Sequence, residues 1–86
     1  MIVDYHRLFK KDWKHLQPKV KQAFRARFQI FRTNPFNPIL SNHKLQGYYG
    51  GCRSINVTGD YRAIFVEEMD SIKFLRIGTH AELYGR

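Results

Sequence analysis

The side chains best suited to proton transfer in this sequence are four histidines, at positions 6, 15, 43 and 80. Imidazole has an ordinary pKa near neutrality, so a pair of histidines can act as acid and base at cellular pH. No two of the four are spaced to share a helix turn or one face of a strand, and a zinc site needs several converging ligands. The spacing therefore predicts no metal site, and we expect no cofactor.

The single cysteine and the glycine-rich stretch carry no predicted chemistry. Cys52 lies in no motif that would activate its thiol. We therefore interpret it as a small, buried or half-buried apolar residue. As the only cysteine, it excludes an intramolecular disulfide. The stretch GYYGG at 47–51 lacks the Lys-Ser/Thr pair of a phosphate-binding loop.

Polar groups that suit nucleic acid are concentrated in the second half of the chain, at predicted strand ends and in loops, where small folds place their sites. They are His43, Lys44, Arg53, Asn56, Asp60, Tyr61, Arg62, His80 and Tyr84. Several also have an ordinary structural interpretation: Asp60 is a common turn residue, and a histidine shortly after Gly78 fits a turn. Residue types alone leave this choice open.

The hydrophobic pattern predicts the elements that position these groups. Residues 2–6 alternate as a short strand, and apolar residues at helical spacing predict helices over 7–16 and from Pro18 to about residue 31. Two Asn-Pro pairs indicate a loop over 33–42. Three β-type stretches follow at 52–57, 61–67 and 71–77, and their short turns require antiparallel hairpins. This order predicts an α+β fold, with an N-terminal strand and a helical hairpin packed on an antiparallel sheet.

The composition describes one small basic domain spanning residues 1–86. Fifteen Lys and Arg against seven Asp and Glu give a net charge of +8, on a background that is 43% hydrophobic. That apolar content excludes a disordered polycation, and the net charge favours a polyanion or an acidic protein as partner. For the charges on the second helix, a solvated helix face is the more ordinary explanation. The longest apolar run, 63–66, is far shorter than the about 20 residues that span a bilayer. The N-terminus has no signal layout, so we expect a cytoplasmic protein with no membrane partner.

Three segments resemble the RelE/ParE superfamily of bacterial toxin–antitoxin toxins, and most closely its YafQ-like ribonucleases. They are NHKLQG at 42–47, GDYRAIF at 59–65 and IGTHAELYG at 77–85. The N-terminal strand and helix pair have the family's order and length, so the resemblance covers the whole chain. It implies a compact RelE-like fold, similar to microbial RNases, with a twisted sheet, and it implies cleavage of messenger RNA in the ribosomal A site.

The resemblance also implies roles for individual residues. The family's two histidine roles match His43 and His80, its acidic residue matches Asp60, and its C-terminal aromatic residue matches Tyr84. We expect the substrate to be bound by Lys44, Arg53, Asn56, Tyr61 and Arg62. Asn56 stands where a YafQ-like member has a third active-site histidine; an amide can form hydrogen bonds there but cannot titrate.

Such a site would cleave RNA without a metal by using the 2′-hydroxyl of the substrate as nucleophile. We expect His80 to be the general acid and His43 the base or its positioner, since each proton transfer contributes about 10²–10⁴-fold. Asp60 would orient a histidine, as the carboxylate of a catalytic triad does.

The remaining groups would hold the RNA. A guanidinium fork matches two phosphate oxygens, so Arg62 is the expected phosphate contact and Lys44 a weaker candidate. Tyr84 and Tyr61 offer aromatic faces on which unpaired bases stack.

The implied partners are messenger RNA, the ribosome and an acidic antitoxin protein, with operator DNA contacted only through the antitoxin. We expect the antitoxin to wrap around the toxin at a distance from the site and to displace segment 81–86. Two alternatives remain open. One is a ParE-like gyrase poison, although ParE-like chains lack the two histidines; the other is a basic RNA- or ribosome-binding module whose histidines are structural.

Overall fold

The computed structural model describes residues 1–85, so Arg86, which ends both the expected domain and the expected displaced segment, lies outside the described residues. The strands are β1 (Ile2–Tyr5), β2 (His43–Lys44), β3 (Arg53–Asn56), β4 (Tyr61–Glu68) and β5 (Ser71–Thr79). The helices are α1 (Arg7–Lys14), α2 (Pro18–Thr33) and α3 (His80–Tyr84), with short 3₁₀ helices at Pro38–Leu40 and Gly47–Tyr49. The predicted α+β class is confirmed. Within residues 1–85 no helix has the length and apolar character needed to cross a membrane.

The strands form one sheet in the order β1-β5-β4-β3-β2. Strands β3, β4 and β5 pair antiparallel, as the short turns predicted. Strand β2, which the sequence did not predict, pairs antiparallel with β3. Strand β1 instead joins β5 in parallel, in a register that sets Tyr5 opposite Phe74. A parallel pair needs a long crossover, and the helices α1 and α2 lie within the connection that follows β1.

The hydrophobic core lies between the sheet and the helical hairpin. Its centre is Phe74, whose ring centroid lies 5.3–6.1 Å from five other phenylalanine rings. Those rings belong to Phe9, Phe24, Phe28, Phe31 and Phe65. The predicted stripes of α1 and α2 and alternate residues of β4 and β5 supply them, as the periods of helix and strand require. One face of the sheet packs against the helices to form this core, so a functional site has room on the opposite face.

A β-bulge changes the register of β5 near its end. Phe65 pairs with Phe74, but Ile64 pairs with Arg76, so Leu75 is the extra residue. Beyond Phe74 there is no longer a β1 residue beside β5. Asp12 of α1 occupies this edge, where its Oδ2 accepts hydrogen bonds from the Ile77 N–H at 3.1 Å and from Arg76 Nε at 2.7 Å. The carboxylate thus replaces a strand partner where β1 ends.

The sequence pattern predicts no regular element after residue 77, whereas the structure forms α3 (His80–Tyr84) after β5. The helix begins with a capping box: Glu82 N–H donates to Thr79 Oγ1 at 3.1 Å, and Thr79 N–H donates to Glu82 Oε1 at 2.8 Å. Gly85 ends it in the left-handed conformation, with φ of 72°. The Thr-x-x-Glu spacing is a sequence signature of a helix start. This short helix positions His80 and Tyr84 one turn apart.

Candidate active site

Three polar residues named by the sequence analysis share the sheet face opposite α1 and α2, here called the site face. His43 pairs with Ser54, and Asn56 pairs with Arg62, across β2, β3 and β4. Side chains alternate along a strand, and the sequence neighbours of Ser54, Asn56 and Arg62 on these strands face the core. The fold therefore brings His43, Asn56 and Arg62 together from three strands.

Arg62 is fixed on the site face by hydrogen bonds to the buried Ser54 and to the Ser41 carbonyl. Its Nε donates to Ser54 Oγ at 2.9 Å, and Nη2 donates to the Ser41 carbonyl at 2.9 Å and to the Ser54 carbonyl at 3.2 Å. Among residues 1–85 these bonds leave Nη1 without an acceptor. Burial lowers the pKa of the guanidinium, and Tyr84 partly offsets this effect. Arginine nevertheless stays charged at neutral pH. The site thus holds a preoriented cation with a free donor.

The Ser41 carbonyl also orients His43. It lies 2.8 Å from His43 Nδ1, and since a carbonyl only accepts, the ring proton of this tautomer sits on Nδ1. Nε2 of the neutral ring is then free to accept a proton. Arg62 Nη2 lies 3.4 Å from the same Nδ1, so the guanidinium and the imidazole are neighbours. Both donate a hydrogen bond to the Ser41 carbonyl.

Ser41 aims that carbonyl by adopting an unusual backbone conformation. Its φ of 45° makes it the one non-glycine residue with positive φ within residues 1–85. It follows the 3₁₀ helix Pro38–Leu40, whose Leu40 is fully buried and anchors the segment. Left-handed non-glycine residues are strained and often occur at functional sites. Neither Ser41 nor Ser54 was predicted, because their contributions depend on contacts between distant segments.

His80 and Tyr84 reach the site face from α3. Their ring centroids lie 4.6 Å apart at an interplanar angle of 57°, and the nearby Tyr84 hydroxyl affects the pKa of Arg62. Gly78, opposite Arg62, lets α3 approach the sheet, since a Cβ there would lie 3.0 Å from Glu82 Oε1 and 3.4 Å from Leu83 Cδ2. The helix therefore covers one end of the site face.

Asp60 meets His80 through the main chain. The His80 N–H donates to the Asp60 carbonyl at 3.3 Å, which joins the start of α3 to the turn between β3 and β4. Within residues 1–85 the Asp60 carboxylate forms no hydrogen bond or ion pair. The expected carboxylate–imidazole pair is absent from this arrangement, and Asp60 positions His80 through its backbone.

Three expected substrate-binding residues lie away from the site face. Lys44 and Arg53 pair with each other on the side of the helices, where Arg53 Nε donates to Asn42 Oδ1 at 2.8 Å and the guanidinium lies 5.2 Å from the Phe36 ring centroid. Tyr61 packs against the core. The reason is strand alternation: Lys44 follows His43 and Tyr61 precedes Arg62, so each points to the opposite face.

Two further observations concern the Cys52 thiol and the side chains that could bind a metal ion. Burial raises the pKa of the Cys52 thiol, which disfavours its reactive thiolate form. Within residues 1–85 no group of three or more His, Cys, Asp or Glu side chains is arranged to hold a metal ion.

Comparison with known proteins agrees with this fold. A family model described as the bacterial toxin of a type II toxin–antitoxin system, YafQ, matches residues 1–85. The mRNA interferase toxin YafQ of Escherichia coli strain K12 is 30% identical over 87 residues, which cover 96% of this chain and 95% of that protein. YafQ from E. coli BL21(DE3) has a crystal structure that superimposes with a TM-score of 0.83 at 26% identity, covering 96% and 97% of the two chains.

A more distant similarity defines the fold class. The RelB-RelE antitoxin-toxin complex of Methanococcus jannaschii contains a chain that matches with a TM-score of 0.75 at 23% identity, covering 95% of each chain. The architecture is therefore that of the RelE-like toxins. Within that class, the chain belongs to the YafQ family of type II toxin–antitoxin toxins, as the three sequence segments indicated.

Proposed function

We propose that this chain is a ribosome-dependent endoribonuclease that cleaves messenger RNA without a metal ion and is neutralised by a cognate antitoxin. The observation that carries the proposal is the Ser41 carbonyl, which accepts hydrogen bonds from both Arg62 and His43 on one exposed face. This arrangement sets a proton acceptor beside a fixed cation. The similarity to proteins named mRNA interferase toxin supports the same activity.

His43 is the proposed base. With Nδ1–H bonded to the Ser41 carbonyl, Nε2 accepts the proton of the substrate 2′-hydroxyl. The 2′-oxygen then attacks the adjacent phosphorus, and the bond from phosphorus to the 5′-oxygen breaks. The products are a 2′,3′-cyclic phosphate and a 5′-hydroxyl end.

His80 is the proposed acid that protonates the leaving 5′-oxygen. Its main chain is held by Asp60 and its ring by Tyr84, which limits the orientations of the imidazole. Proton transfer from a positioned histidine contributes about 10²–10⁴-fold to the rate. Because the 2′-hydroxyl loses one proton and the 5′-oxygen gains one, the step is balanced without an added reactant.

Arg62 is the proposed contact to the phosphate. Negative charge builds up on the phosphorane oxygens in the transition state, and a preoriented cation stabilises that charge without reorganising. Nη1 has no acceptor among residues 1–85 and is the donor available for phosphate. Asn56, on the same row of the sheet, would add a neutral hydrogen bond to the RNA.

The proposed partners follow from charge and from the relatives. A net charge of +8 suits contacts to ribosomal RNA and to the tail of an acidic antitoxin. The solved DinJ-YafQ complex of E. coli contains a chain 29% identical to this one with a TM-score of 0.73, which supports a protein antitoxin. Operator DNA would be contacted only through the antitoxin, and the ribosome places the proposed activity in the cytoplasm.

Cleavage in a translation extract tests this function. We expect the purified protein to cut messenger RNA within codons on ribosomes, leaving 2′,3′-cyclic phosphate and 5′-hydroxyl ends. A zinc-selective chelator that spares the magnesium of the ribosomes should not stop it. Ends carrying 3′-hydroxyl and 5′-phosphate, or activity that depends on added zinc or manganese, would contradict the mechanism.

A further inference from the structure

A cleft next to the proposed active site shares only Tyr84 with the chemistry described above. It lies between the β2–β3 loop and α3, has a volume of about 330 Å³, and is lined by Gln46, Tyr48, Tyr49, Leu83 and Tyr84. We call it the aromatic cleft. Tyr48 at its mouth is 95% exposed, which is unusual for so large an aromatic side chain.

The loop that carries Tyr48 and Tyr49 is ordered by its own hydrogen bonds. Gly50 N–H donates to the Gly47 carbonyl at 2.9 Å, and Cys52 N–H donates to the Tyr49 carbonyl at 3.0 Å. Gly47 has φ of 68°, a conformation that favours glycine. The glycines of this stretch therefore form a tight turn that projects two adjacent tyrosines toward α3.

The tyrosine rings form a continuous array that ends at the active site. Tyr48 and Tyr49 have ring centroids 5.0 Å apart at 87°, and Tyr49 and Tyr84 have centroids 6.0 Å apart at 84°. Tyr84 in turn contacts the His80 ring. One wall of the aromatic cleft is thus a residue of the proposed active site.

We propose that the aromatic cleft binds one unpaired base of the RNA substrate, adjacent to the nucleotide that is cleaved. This inference rests on the proposed function and extends it to the binding of a neighbouring base. Aromatic side chains stack on any base, and the Gln46 amide offers both a donor and an acceptor to a base edge. The cleft falls within the about 300–1,000 Å³ typical of small-ligand sites.

The surroundings of the cleft favour RNA over an apolar peptide as the occupant. Of the five lining side chains, Leu83 is aliphatic, whereas the three tyrosines each carry a hydroxyl and Gln46 carries an amide, so polar groups accompany the aromatic surface. Tyr84, which lines the cleft, also contacts the ring of His80, the proposed acid. A nucleotide bound here would set its base against the tyrosines, next to the proposed proton donor.

Binding of an RNA probe that cannot be cleaved tests the cleft directly. The probe is a 2′-O-methyl trinucleotide containing 2-aminopurine, whose fluorescence is quenched by stacking and whose blocked 2′-oxygen prevents reaction. We expect the wild type to quench the probe's fluorescence. Tyr48→Ala, which removes a stacking ring, should lower the affinity for the probe about 5- to 150-fold. Tyr48→Phe should bind like the wild type. Phe36→Ala is the matched control, because Phe36 is also exposed, at 61%, but lies beside Arg53.

The outcomes separate this inference from the proposed function. No quenching by the wild type, or equal affinity in Tyr48→Ala and wild type, would overturn the base-binding cleft even if the wild type cleaves messenger RNA in extracts. Quenching that depends on Tyr48 in a protein that cleaves nothing would support the cleft and overturn the proposed function. If Tyr48→Ala weakens binding of the antitoxin but leaves the probe's affinity unchanged, the cleft is a protein contact and the inference is wrong.

Discussion

The Asp12 carboxylate and the Arg76 guanidinium form a bidentate pair, with Nε to Oδ2 at 2.7 Å and Nη2 to Oδ1 at 3.0 Å. Oδ2 accepts a further hydrogen bond from the Ile77 N–H at 3.1 Å. One side chain of α1 therefore holds both the side chain and the main chain of β5 just past the bulge. Strand β5 continues directly into α3, so this pair fixes the base of the element that carries His80 and Tyr84.

Replacing Asp12 by alanine should destabilise the protein by about 2–3 kcal/mol, because it removes both carboxylate hydrogen bonds of a partly buried guanidinium and leaves a strand N–H without an acceptor. Asp12→Asn should cost less, since an amide oxygen still accepts from Ile77. Urea unfolding measures the stability of both variants, with Glu67→Gln, at an exposed position of β4, as control. Equal stability of wild type and Asp12→Ala would show that the pair contributes nothing.

The pH dependence of this effect follows from the Arg76 pKa. The hydrogen bond to Asp12 raises that pKa, burial lowers it, and Asp12 and Tyr49 raise it further through their charge and hydrogen bonding. A cation whose pKa is raised on folding stabilises the folded state below its ordinary pKa and loses this contribution only as the pH rises through the raised value. The difference between wild type and Asp12→Ala should therefore persist from neutral into moderately alkaline pH. A difference that disappears just above neutrality would contradict this assignment.

The link between Asp12 and Arg76 also shows the limit of sequence interpretation. The core stripes, the hairpins and the α+β class were predictable because they depend on local periodicity and short turns. The Asp12–Arg76 pair joins residues 64 positions apart, through a bulge that no local pattern announces. Likewise, the parallel pairing of β1 with β5 depends on how the helices pack.

The candidate site was predictable in part. The resemblance named His43, Arg62, His80 and Tyr84; the fold sets His43 against Arg62 and His80 against Tyr84, and their roles stay predictions. The α3 cap has a local signature in the Thr-x-x-Glu spacing at 79–82. Strand alternation excludes Tyr61 from the face of its neighbour Arg62, and that rule needed only the predicted strand 61–67. For Lys44 the rule also needed β2, which the sequence did not predict. The shared hydrogen bonds of His43 and Arg62 to the Ser41 carbonyl could be found only in the three-dimensional structure.

Arg62→Lys should reduce the single-turnover rate of messenger RNA cleavage about 100-fold, because lysine cannot bind the Ser54 hydroxyl and the Ser41 carbonyl while directing another donor at phosphate. Arg53→Lys is the matched control, since Arg53 lies on the side of the helices. Both variants should unfold at similar temperatures. A larger loss of activity in Arg53→Lys than in Arg62→Lys would contradict the placement of the phosphate contact.

His43→Gln and His80→Gln should each reduce cleavage at least about 100-fold, since each removes one proton transfer. Growth inhibition in cells and cleavage in extracts should fall together, with the fold unchanged by circular dichroism. His15→Gln, which removes an exposed imidazole from the end of α1, is the control and should retain activity. Full toxicity of His80→Gln with cleavage retained would remove His80 from the mechanism.

Cys52 should react slowly with iodoacetamide in the folded protein. Burial raises the pKa of its thiol, so at neutral pH a smaller fraction is thiolate than in the unfolded chain. The alkylation rate should rise when the protein is unfolded in urea. Above the ordinary thiol pKa, unfolding releases a proton, so the cysteine contributes to a loss of stability as the pH rises. Alkylation faster than that of free cysteine at neutral pH would show an activated thiol instead.

Replacing Lys10, Lys11 and Lys14 together by glutamine should weaken ribosome binding and flatten its dependence on salt. All three are exposed on α1, away from the site face. If each contacts one RNA phosphate, the slope of log affinity against log salt should decrease in magnitude by about 2–3. The matched triple substitution by arginine keeps the charge and should keep the slope, as measured by ribosome co-sedimentation at several salt concentrations. An unchanged slope in the glutamine variant would mean that these lysines only solvate the helix face, and that the electrostatic contact to the ribosome lies elsewhere on the basic surface.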